Sequence, residues 1–170
     1  MSRTDVFDLG RLRLTAGEGR RLDLEVALRP LDFSGQRYEP DNPVPARLDI
    51  SRMTGGGYSL RLRFAAALRG PCMRCLLDAE PVTDVDAREI DQPGGGDELS
   101  SPYLNGEEEL DLQQWATDAY ALALPAQIVC RPDCAGLCPE CGANLNEEPG
   151  HAHEPPKDSR WAALDALKFD

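Results

Sequence analysis

Residues 58–75 read YSLRLRFAAALRGPCMRC, and two different patterns meet in this stretch. Apolar and other residues alternate from Tyr58 to Leu68, which is the period of a β-strand with one buried face. The stretch then ends in Cys72-Met73-Arg74-Cys75, a C-x-x-C knuckle of the kind that supplies two metal ligands from one turn. A strand followed directly by a knuckle predicts a sheet whose end is held by a metal ion.

The same alternation recurs before and after this strand, so the first half of the chain predicts an antiparallel sheet, open or partly closed. The predicted strands contain Leu22, Leu24, Val26 and Leu28, then Leu48 and Ile50, and later Pro81 to Ile90. Gly55-Gly56-Gly57 can form the turn of a hairpin before Tyr58. A further strand at the sheet edge is predicted from Phe7, Leu9, Leu12 and Leu14.

Helical spacing follows the sheet. One predicted helix carries Leu110, Leu112, Trp115, Ala119, Leu122 and Ala123, and Pro125 ends it. A shorter helix begins near Asp158 or Ser159 and places Trp161, Leu164 and Leu167 on one face. Both tryptophans are therefore expected in the core. The fold class that results is α+β, an antiparallel sheet followed by helices.

The length of 170 residues suits one integrated domain. We divide it into a sheet half with the first cysteine knuckle (1–91), a mobile acidic loop (92–109) and a helical half with the remaining cysteines and the histidines (110–170). No apolar run is long enough to cross a bilayer, and the first residues lack the apolar core of a signal peptide. We therefore expect a cytoplasmic protein without membrane contact.

Charge is divided unevenly along the chain, whose formal net charge is -12. Residues 1–75 hold 13 Lys and Arg against 9 Asp and Glu, so +4, whereas residues 76–170 hold 5 against 21, so -16. RNA contact therefore requires the first half, and its candidate residues are Arg61, Arg63, Arg69 and Arg74. The alternative is that these arginines are solvated surface charges, with Arg74 paired to Glu80. The acidic half suits a basic protein partner, unless its charge serves solubility alone.

Every cysteine and histidine of the chain lies in one of two short neighbourhoods. The eight residues are Cys72, Cys75, Cys130, Cys134, Cys138, Cys141, His151 and His153. Thiolates and imidazoles in this number predict zinc-knuckle loops with structural zinc, one ion or two, in closed sites without an open catalytic position. A disulfide framework is disfavoured in a cytoplasmic chain, and a thioredoxin-like pair would need its C-x-x-C at a helix start.

The spacing leaves the division of ligands between ions open. In one partition Cys72, Cys75, Cys130 and Cys134 bind the first zinc ion, and Cys138, Cys141, His151 and His153 bind the second. In another, the two C-x-x-C knuckles share an ion and the remaining cysteines join the histidines. A third has one ion and spare ligands. The first partition would tie the end of the sheet to the chain beyond the long helix, since 54 residues separate Cys75 from Cys130.

Motifs of the common enzyme classes are missing from the sequence. It has no G-x-S-x-G, no phosphate-binding Walker loop, no dinucleotide-binding G-x-G-x-x-G after a strand and no H-E-x-x-H. With both histidines assigned to metal, none remains as a general base. The sequence therefore predicts a protein that is not an enzyme and has no small-molecule substrate. A processing enzyme with a carboxylate site is the alternative.

Several of these motifs together resemble the YceD family, bacterial and plastid proteins described as large ribosomal RNA subunit accumulation proteins. The resemblance covers roughly Arg20 to Lys168. It rests on Cys72-Met73-Arg74-Cys75, Tyr103-Leu104, Leu110-Asp111-Leu112, Leu124-Pro125, Gly136-Leu137-Cys138-Pro139-Glu140-Cys141-Gly142, Asn144-Leu145-Asn146 and Arg160-Trp161. Family members usually have Cys-x-Cys where this chain has His151-Ala152-His153, and imidazole in place of thiolate keeps a zinc ligand.

The resemblance implies a non-catalytic ribosome-assembly factor that supports the synthesis, processing or stability of large-subunit ribosomal RNA. Its partner would be a large-subunit ribosomal protein or a pre-ribosomal particle, and family genes often lie beside the gene for a small zinc-binding protein of that subunit. In the alternative, the basic sheet face binds ribosomal RNA directly. An RNA-processing enzyme is the third hypothesis.

Overall fold

The computed structural model describes residues 5–153, which form antiparallel strands and one α-helix. The strands of this part of the chain are β1 (Val6–Asp8), β2 (Gly19–Val26), β3 (Leu31–Phe33), β4 (Gln36–Pro40), β5 (Val44–Arg52), β6 (Tyr58–Pro71), β7 (Asp78–Ala79), β8 (Val82–Asp91) and β9 (Glu109–Asp111). Helix α1 covers Leu112–Ala123, and short 3-10 helices lie at Gly10–Leu12 and Asp97–Leu99. Among the described residues, no helix is long and apolar enough to span a membrane.

Strand β6 is the centre of the sheet. It pairs antiparallel with β5 and β8 on its two edges, and its last residues pair with β4 and β7. Since β2 adds to the outside of β5 and β3 to β4, the sheet is open, with β2 and β8 as its long edges. The predicted hairpin between β5 and β6 turns through the three glycines. Gly57 is required there, because its φ is 74° and an added Cβ would lie 1.9 Å from the Asp91 carbonyl oxygen.

Alternation along β6 separates a buried face from an outer face. Its even-numbered residues from Tyr58 to Leu68 are buried, whereas Arg61 and Arg63 point to the other side. Buried residues of β2, β5 and β8 line the same inner side and form one hydrophobic core with it. The strands predicted for the main sheet are therefore confirmed, because burial on one face is what a period of two encodes.

Helix α1 covers the inner face of the sheet. Asp111 caps its N-terminus, since the Asp111 carboxylate accepts a hydrogen bond from the Gln114 N–H at 2.9 Å. Trp115 is buried as predicted, and the Tyr120 hydroxyl donates a hydrogen bond to the Ala66 carbonyl of β6. The first predicted helix is thus present, but it begins at Leu112, so the predicted inclusion of Leu110 is wrong because that residue lies in β9. Leu122, which the helical spacing grouped with the buried residues, is 87% exposed. The second, with Trp161, lies outside the described residues.

The N-terminal strand differs from the prediction. Only Val6–Asp8 is extended, and it pairs with β9 in a separate two-stranded sheet instead of joining the edge of the main one. The chain then turns through the 3-10 helix at Gly10–Leu12, and Leu9 is fully buried. The apolar spacing shifts by one residue between Leu9 and Leu12, so it reflects packing around a turn and not a continuous strand.

The acidic segment between β8 and β9 contacts the sheet near its end. Arg52 of β5 pairs with Glu108 at 2.6 Å. The Asn105 side-chain oxygen accepts hydrogen bonds from the backbone N–H groups of Glu107 and Glu109. The mobility of this loop and the division of the domain into three parts stay predictions.

Candidate metal centres

Two groups of metal-binding side chains lie at the end of β6 and beyond α1. The first cluster is Cys72, Cys75, Cys130 and Cys134, and the second cluster is Cys138, Cys141, His151 and His153. Within each cluster, one ligand atom from every residue lies within 4.8 Å of the others, and all six cysteines are free of disulfides. The side chains are grouped as in the first partition, and each cluster could hold a metal ion.

The first cluster joins two distant parts of the chain. Cys72 follows β6 directly, and its N–H donates to the Leu77 carbonyl at 2.7 Å. The Met73 N–H donates to the Ile128 carbonyl at 2.8 Å, which holds the knuckle against the segment after α1. Cys72, Cys75 and Cys134 are buried, whereas Cys130 is exposed. Three of the four thiols therefore belong to the core.

Two sulfur–sulfur distances of the first cluster match those around a tetrahedral zinc ion. Zn–S bonds of about 2.3 Å in a tetrahedron place the sulfur atoms about 3.8 Å apart. The Sγ atoms of Cys72 and Cys134 are separated by 3.8 Å, and those of Cys75 and Cys130 by 3.7 Å. Because four thiolates complete the coordination, an ion held there would keep no open position for a substrate.

Backbone N–H groups favour the thiolate form of the first cysteine in each knuckle. For Cys72, burial raises the pKa, but hydrogen bonds from backbone N–H groups, that of Cys75 foremost, lower it to about 6. For Cys138, the backbone N–H groups led by that of Cys141 lower the pKa to about 6. Since thiolate is the form that binds zinc, the knuckle turn prepares both residues for a metal.

The second cluster is local and lies at the surface. All of its ligands come from residues 138–153, and Cys141 and His153 are exposed. The Nε2 atoms of His151 and His153 are 2.9 Å apart, and the His151 Nε2 lies 3.2 Å from the Cys141 Sγ. A tetrahedral zinc ion separates two imidazole nitrogens by about 3.3 Å. Zinc would therefore need only a small outward movement of exposed side chains.

Two glutamates orient the histidines of the second cluster. A Glu148 carboxylate oxygen lies 3.0 Å from the His151 Nδ1, and a Glu140 oxygen lies 3.4 Å from the His153 Nδ1. A carboxylate on one ring nitrogen favours the tautomer whose other nitrogen can bind a metal. Neither glutamate was predicted to act here, although the Glu148-x-x-His151 spacing is a signal that could have indicated one of them.

Asn146 connects the two clusters. Its side-chain amide donates a hydrogen bond to the Cys134 Sγ at 3.5 Å, and its side-chain oxygen accepts one from the Ala135 N–H at 2.8 Å. Asn146 lies between the second knuckle and the histidines in the chain, so it links the first cluster to the loop that forms the second. The role of Asn146 could not be predicted from the sequence, because Asn146 lies twelve residues from Cys134 and only the fold brings the two side chains together.

Arg74 also connects the clusters, and its predicted pairing with Glu80 is wrong. The Arg74 guanidinium donates to the Cys134 carbonyl at 2.8 Å, while the Arg74 carbonyl accepts from the Leu137 N–H at 3.1 Å. Glu80 pairs instead with Arg69, at 2.8 Å. Arg74 lies within the first knuckle. The fold brings the Cys134 carbonyl of a distant loop close enough to accept a hydrogen bond from its guanidinium.

The other arginines considered for RNA contact are paired with carboxylates. The pairs are Arg61 with Asp86, Arg63 with Asp49, and Arg69 with Asp41 and Glu80. An RNA phosphate would have to compete with these carboxylates for the guanidinium groups. RNA contact by Arg61, Arg63, Arg69 and Arg74 stays a prediction.

The outer face of the four long strands carries balanced charge. Where β2, β5, β6 and β8 pair with one another, this face has five arginines, Arg21, Arg47, Arg61, Arg63 and Arg88, and five carboxylates, Asp23, Glu25, Asp49, Asp84 and Asp86. Arg69 lies beyond this region and pairs with Asp41 and Glu80. Asp49 accepts hydrogen bonds from Arg21 and Arg63, and the Arg21 bond foremost holds the pKa of that carboxyl below its usual range. Counterion release rewards surfaces with excess cations, and this face lacks such an excess.

Residues 60–168 match a family model described as large ribosomal RNA subunit accumulation protein YceD. The chain belongs to the YceD family. The YceD match begins in β6 and includes every ligand of both clusters. The resemblance stated from the sequence is thereby confirmed.

Curated proteins similar to this YceD chain come from bacteria and a plant. An uncharacterized protein of Mycobacterium tuberculosis is 42% identical over 108 residues, which cover 59% of this chain and 50% of that protein. A Zea mays protein named large ribosomal RNA subunit accumulation protein YCED homolog 1, chloroplastic, is 29% identical over 176 residues, which cover 81% of this chain and 57% of the maize protein. The chain spans about half the length of the curated relatives it matches. No solved structure matches it.

Proposed function

We propose that this YceD protein is a non-catalytic ribosome-assembly factor that supports the synthesis, processing or stability of large-subunit ribosomal RNA in the cytoplasm. The observation that carries the proposal is the family match over residues 60–168, whose description names accumulation of that RNA subunit. The name of the maize relative gives the same description. Neither description names a reaction, which favours an assembly factor over a processing enzyme.

The charge of the second half supports a basic protein as the direct partner. Residues 76–153 contain 17 Asp and Glu against 2 Arg, so their formal charge is -15. Such a surface attracts a basic large-subunit ribosomal protein, or a pre-ribosomal particle that presents one, and repels RNA phosphate. The outer sheet face does not offset this charge, because its arginines are matched by carboxylates.

Structural zinc is the resident ion we propose for both clusters. The donor set of thiolates and imidazoles is the one that zinc prefers, and two sulfur–sulfur distances in the first cluster match those of a tetrahedral site. When bound, the ion supplies cross-links between segments of the chain. Cys72 and Cys75 would hold it from the end of β6, and Cys130 and Cys134 from beyond α1. The acidic half would thus be fixed against the sheet.

Affinity capture from the cells of origin tests this function. The tagged, metal-loaded protein is captured from lysate that has or has not been treated with ribonuclease, and the bound protein and RNA are identified. Retention of a large-subunit ribosomal protein after ribonuclease is the expected result. Ribosomal RNA found only in untreated samples would indicate RNA or particle binding instead, and no ribosomal material in either sample would contradict the proposed role.

A double variant of the outer face separates protein contact from RNA contact. Arg61→Gln with Arg63→Gln removes two cationic side chains and leaves the acidic half intact. The proposal expects unchanged capture of the protein partner. If this variant loses ribosomal RNA while Arg21→Gln on the same face keeps it, direct RNA binding by Arg61 and Arg63 becomes the better account.

A further inference from the structure

The sheet has two long edges that are open to pairing. Within the described residues, β2 pairs only with β5 and β8 pairs only with β6. The chain returns beside the last residue of β8, where the Gln92 N–H donates to the Leu99 carbonyl at 2.7 Å and the Ser101 N–H donates to the Asp91 carboxylate at 3.3 Å, so the open part of this edge lies before Asp91. Each edge strand therefore presents backbone N–H and C=O groups to which an extended chain can add. The two edges differ in their charge and in the surface beside them.

Edge β8 is acidic, whereas edge β2 is balanced. β8 holds four carboxylates and one arginine, namely Asp84, Asp86, Glu89, Asp91 and Arg88. β2 holds two arginines and two carboxylates, namely Arg20, Arg21, Asp23 and Glu25. Opposite charges on neighbouring strands stabilise their pairing, so an added segment with cationic side chains is favoured at β8.

A groove runs beside β8 at the line where the strand meets α1, and its cavity has a volume of about 310 Å³. Its lining includes Ala87 and Glu89 of β8, Trp115 and Ala119 of α1, and Tyr103. Leu122 forms the rim and is 87% exposed. An unpaired strand edge and an apolar groove are thus adjacent, which is the combination that binds an extended peptide through its backbone and its alternate side chains.

Glu89 is a half-buried carboxylate in the groove, and the described residues give it no cationic partner. Burial raises its pKa, and a hydrogen bond with Ser101 offsets part of that shift. A charge removed from water without a counter-charge costs free energy. A cation from another molecule would supply the partner that the chain itself does not.

We propose that the free edge of β8 binds an extended segment of a basic protein as an added strand, with a lysine or arginine at Glu89 and an apolar side chain in the groove beside Leu122. That the natural source of this segment is a ribosomal protein rests on the proposed function.

The charge of the edge also selects against a second copy of this chain. The chain carries a formal net charge of -12, and an added β8 from another copy would place its own carboxylates against these. Charged side chains on an edge strand are a recognised means of preventing pairing between like strands. The acidic edge therefore disfavours pairing of β8 with the β8 of a second copy, while it accepts a cationic strand.

Binding of a fluorescein-labelled peptide tests the inference. The peptide is as long as β8 and carries a lysine and a valine two residues apart in a threonine background, so that both side chains face the same side as Glu89 and the groove, and a control peptide has glutamate in place of lysine. Fluorescence anisotropy with the full, metal-loaded chain measures affinity, and hydrogen exchange locates the peptide. We expect the lysine peptide alone to bind and to protect those amides of residues 82–91 that do not bond to β6, and not those of β2. Equal binding of both peptides, or protection elsewhere, would overturn the inference.

Two variants that spare the fold make the test specific. Glu89→Gln keeps the shape of the side chain and removes its charge, and we expect the peptide to bind about fivefold more weakly. Leu122→Gln changes an exposed rim residue and should weaken binding as well. Glu25→Gln on β2 is the matched control and should leave the affinity unchanged. Equal effects of Glu25→Gln and Glu89→Gln would refute the assignment to β8.

Other occupants of the edge have their own signatures. If the amides of 82–91 that do not bond to β6 are already protected in the free monomer, a segment of this chain covers the edge, and the inference is wrong. Protection that rises with protein concentration would indicate a second copy at the edge, and the inference would again be wrong. If a ribosomal protein is captured but the lysine peptide does not displace it, the assembly role stands without this site. If the peptide binds at β8 but no ribosomal material is captured, the site stands and the assembly role does not.

Discussion

Each of the two cysteine clusters contains its own C-x-x-C knuckle, but the clusters are built into the molecule in different ways. The first cluster collects ligands from both sides of a stretch of 54 residues, and three of its thiols are buried in the core. The second cluster is formed within residues 138–153 and exposes Cys141 and His153. From this comparison we expect the first cluster to support the whole fold and the second to order one loop.

The largest difference is expected between serine variants of the two clusters. Cys134→Ser removes a buried ligand, and zinc binding is worth about 10 to 16 kcal/mol in small zinc-finger peptides. We therefore expect Cys134→Ser to lower the free energy of unfolding by more than about 4 kcal/mol. Cys141→Ser should lower it by about 1 to 2 kcal/mol, since the main core does not depend on it. Thermal unfolding followed by circular dichroism, with zinc content by mass spectrometry, measures both. Equal losses would remove the distinction between the clusters.

A chelator should remove metal from the two clusters at different rates. A chelator whose absorbance changes when it binds zinc should remove metal from the exposed second cluster first, with little change in the circular dichroism of the protein. The remaining zinc should leave slowly and together with loss of the fold, because the first cluster must open for its thiols to be reached. Cys141→Ser should abolish the fast phase alone. A single phase for the wild-type chain would contradict the ordering.

A smaller effect is expected from the carboxylates that orient the second cluster. Glu148→Gln removes the charge beside the His151 Nδ1, and changes of this kind weaken metal binding by about tenfold. Competition with a chelator of known affinity measures the change. Glu98→Gln, in the exposed acidic segment, is a control of equal charge and should have no effect on either cluster. Zinc affinity that is unchanged in Glu148→Gln would mean that Glu148 does not orient the ligand.

The smallest effect is expected at the sheet face, where no metal is involved. Hydrogen bonds from Arg21 and then Arg63 hold the pKa of Asp49 below its usual range. This pairing therefore stabilises the fold above the unfolded-state pKa of the carboxyl, and the contribution is lost as pH falls through the folded-state pKa. Asp49→Asn should lower the free energy of unfolding by less than about 1 kcal/mol at neutral pH. The difference from wild type should vanish in acid, as urea unfolding across pH can measure, and zinc content should be unchanged. A difference that grows in acid would contradict the assigned sign.

The main sheet could be predicted because its strands have one buried face and one charged face. Tyr58 to Leu68 is buried at every second residue, and no distant contact is needed to read that pattern. The N-terminal segment could not be predicted in this way. Leu9 is as apolar as the strand residues, but it packs beside a turn whose position depends on β9, which lies about a hundred residues later.

The candidate ligands could also be identified from the sequence, because cysteine and histidine types and the C-x-x-C spacing express metal chemistry directly. The grouping of ligands could not be fixed, since it depends on where α1 returns the chain. Arg74 shows the same limit. Its acceptor is the Cys134 carbonyl, and a backbone carbonyl that the fold brings near leaves no signal in the sequence.

The long separation within the first cluster also orders events while the chain is being synthesised. Strands β2, β5 and β6 precede Cys72, so they can pair before Cys130 and Cys134 have been made. At about 5 to 20 residues per second, the interval between translation of Cys75 and Cys134 lasts about 3 to 12 seconds. During that interval Cys72 and Cys75 present two thiols that have not yet met their partners. Under the proposed role of zinc, the metal ions and oxidants available to the nascent chain would influence how much protein reaches its native state.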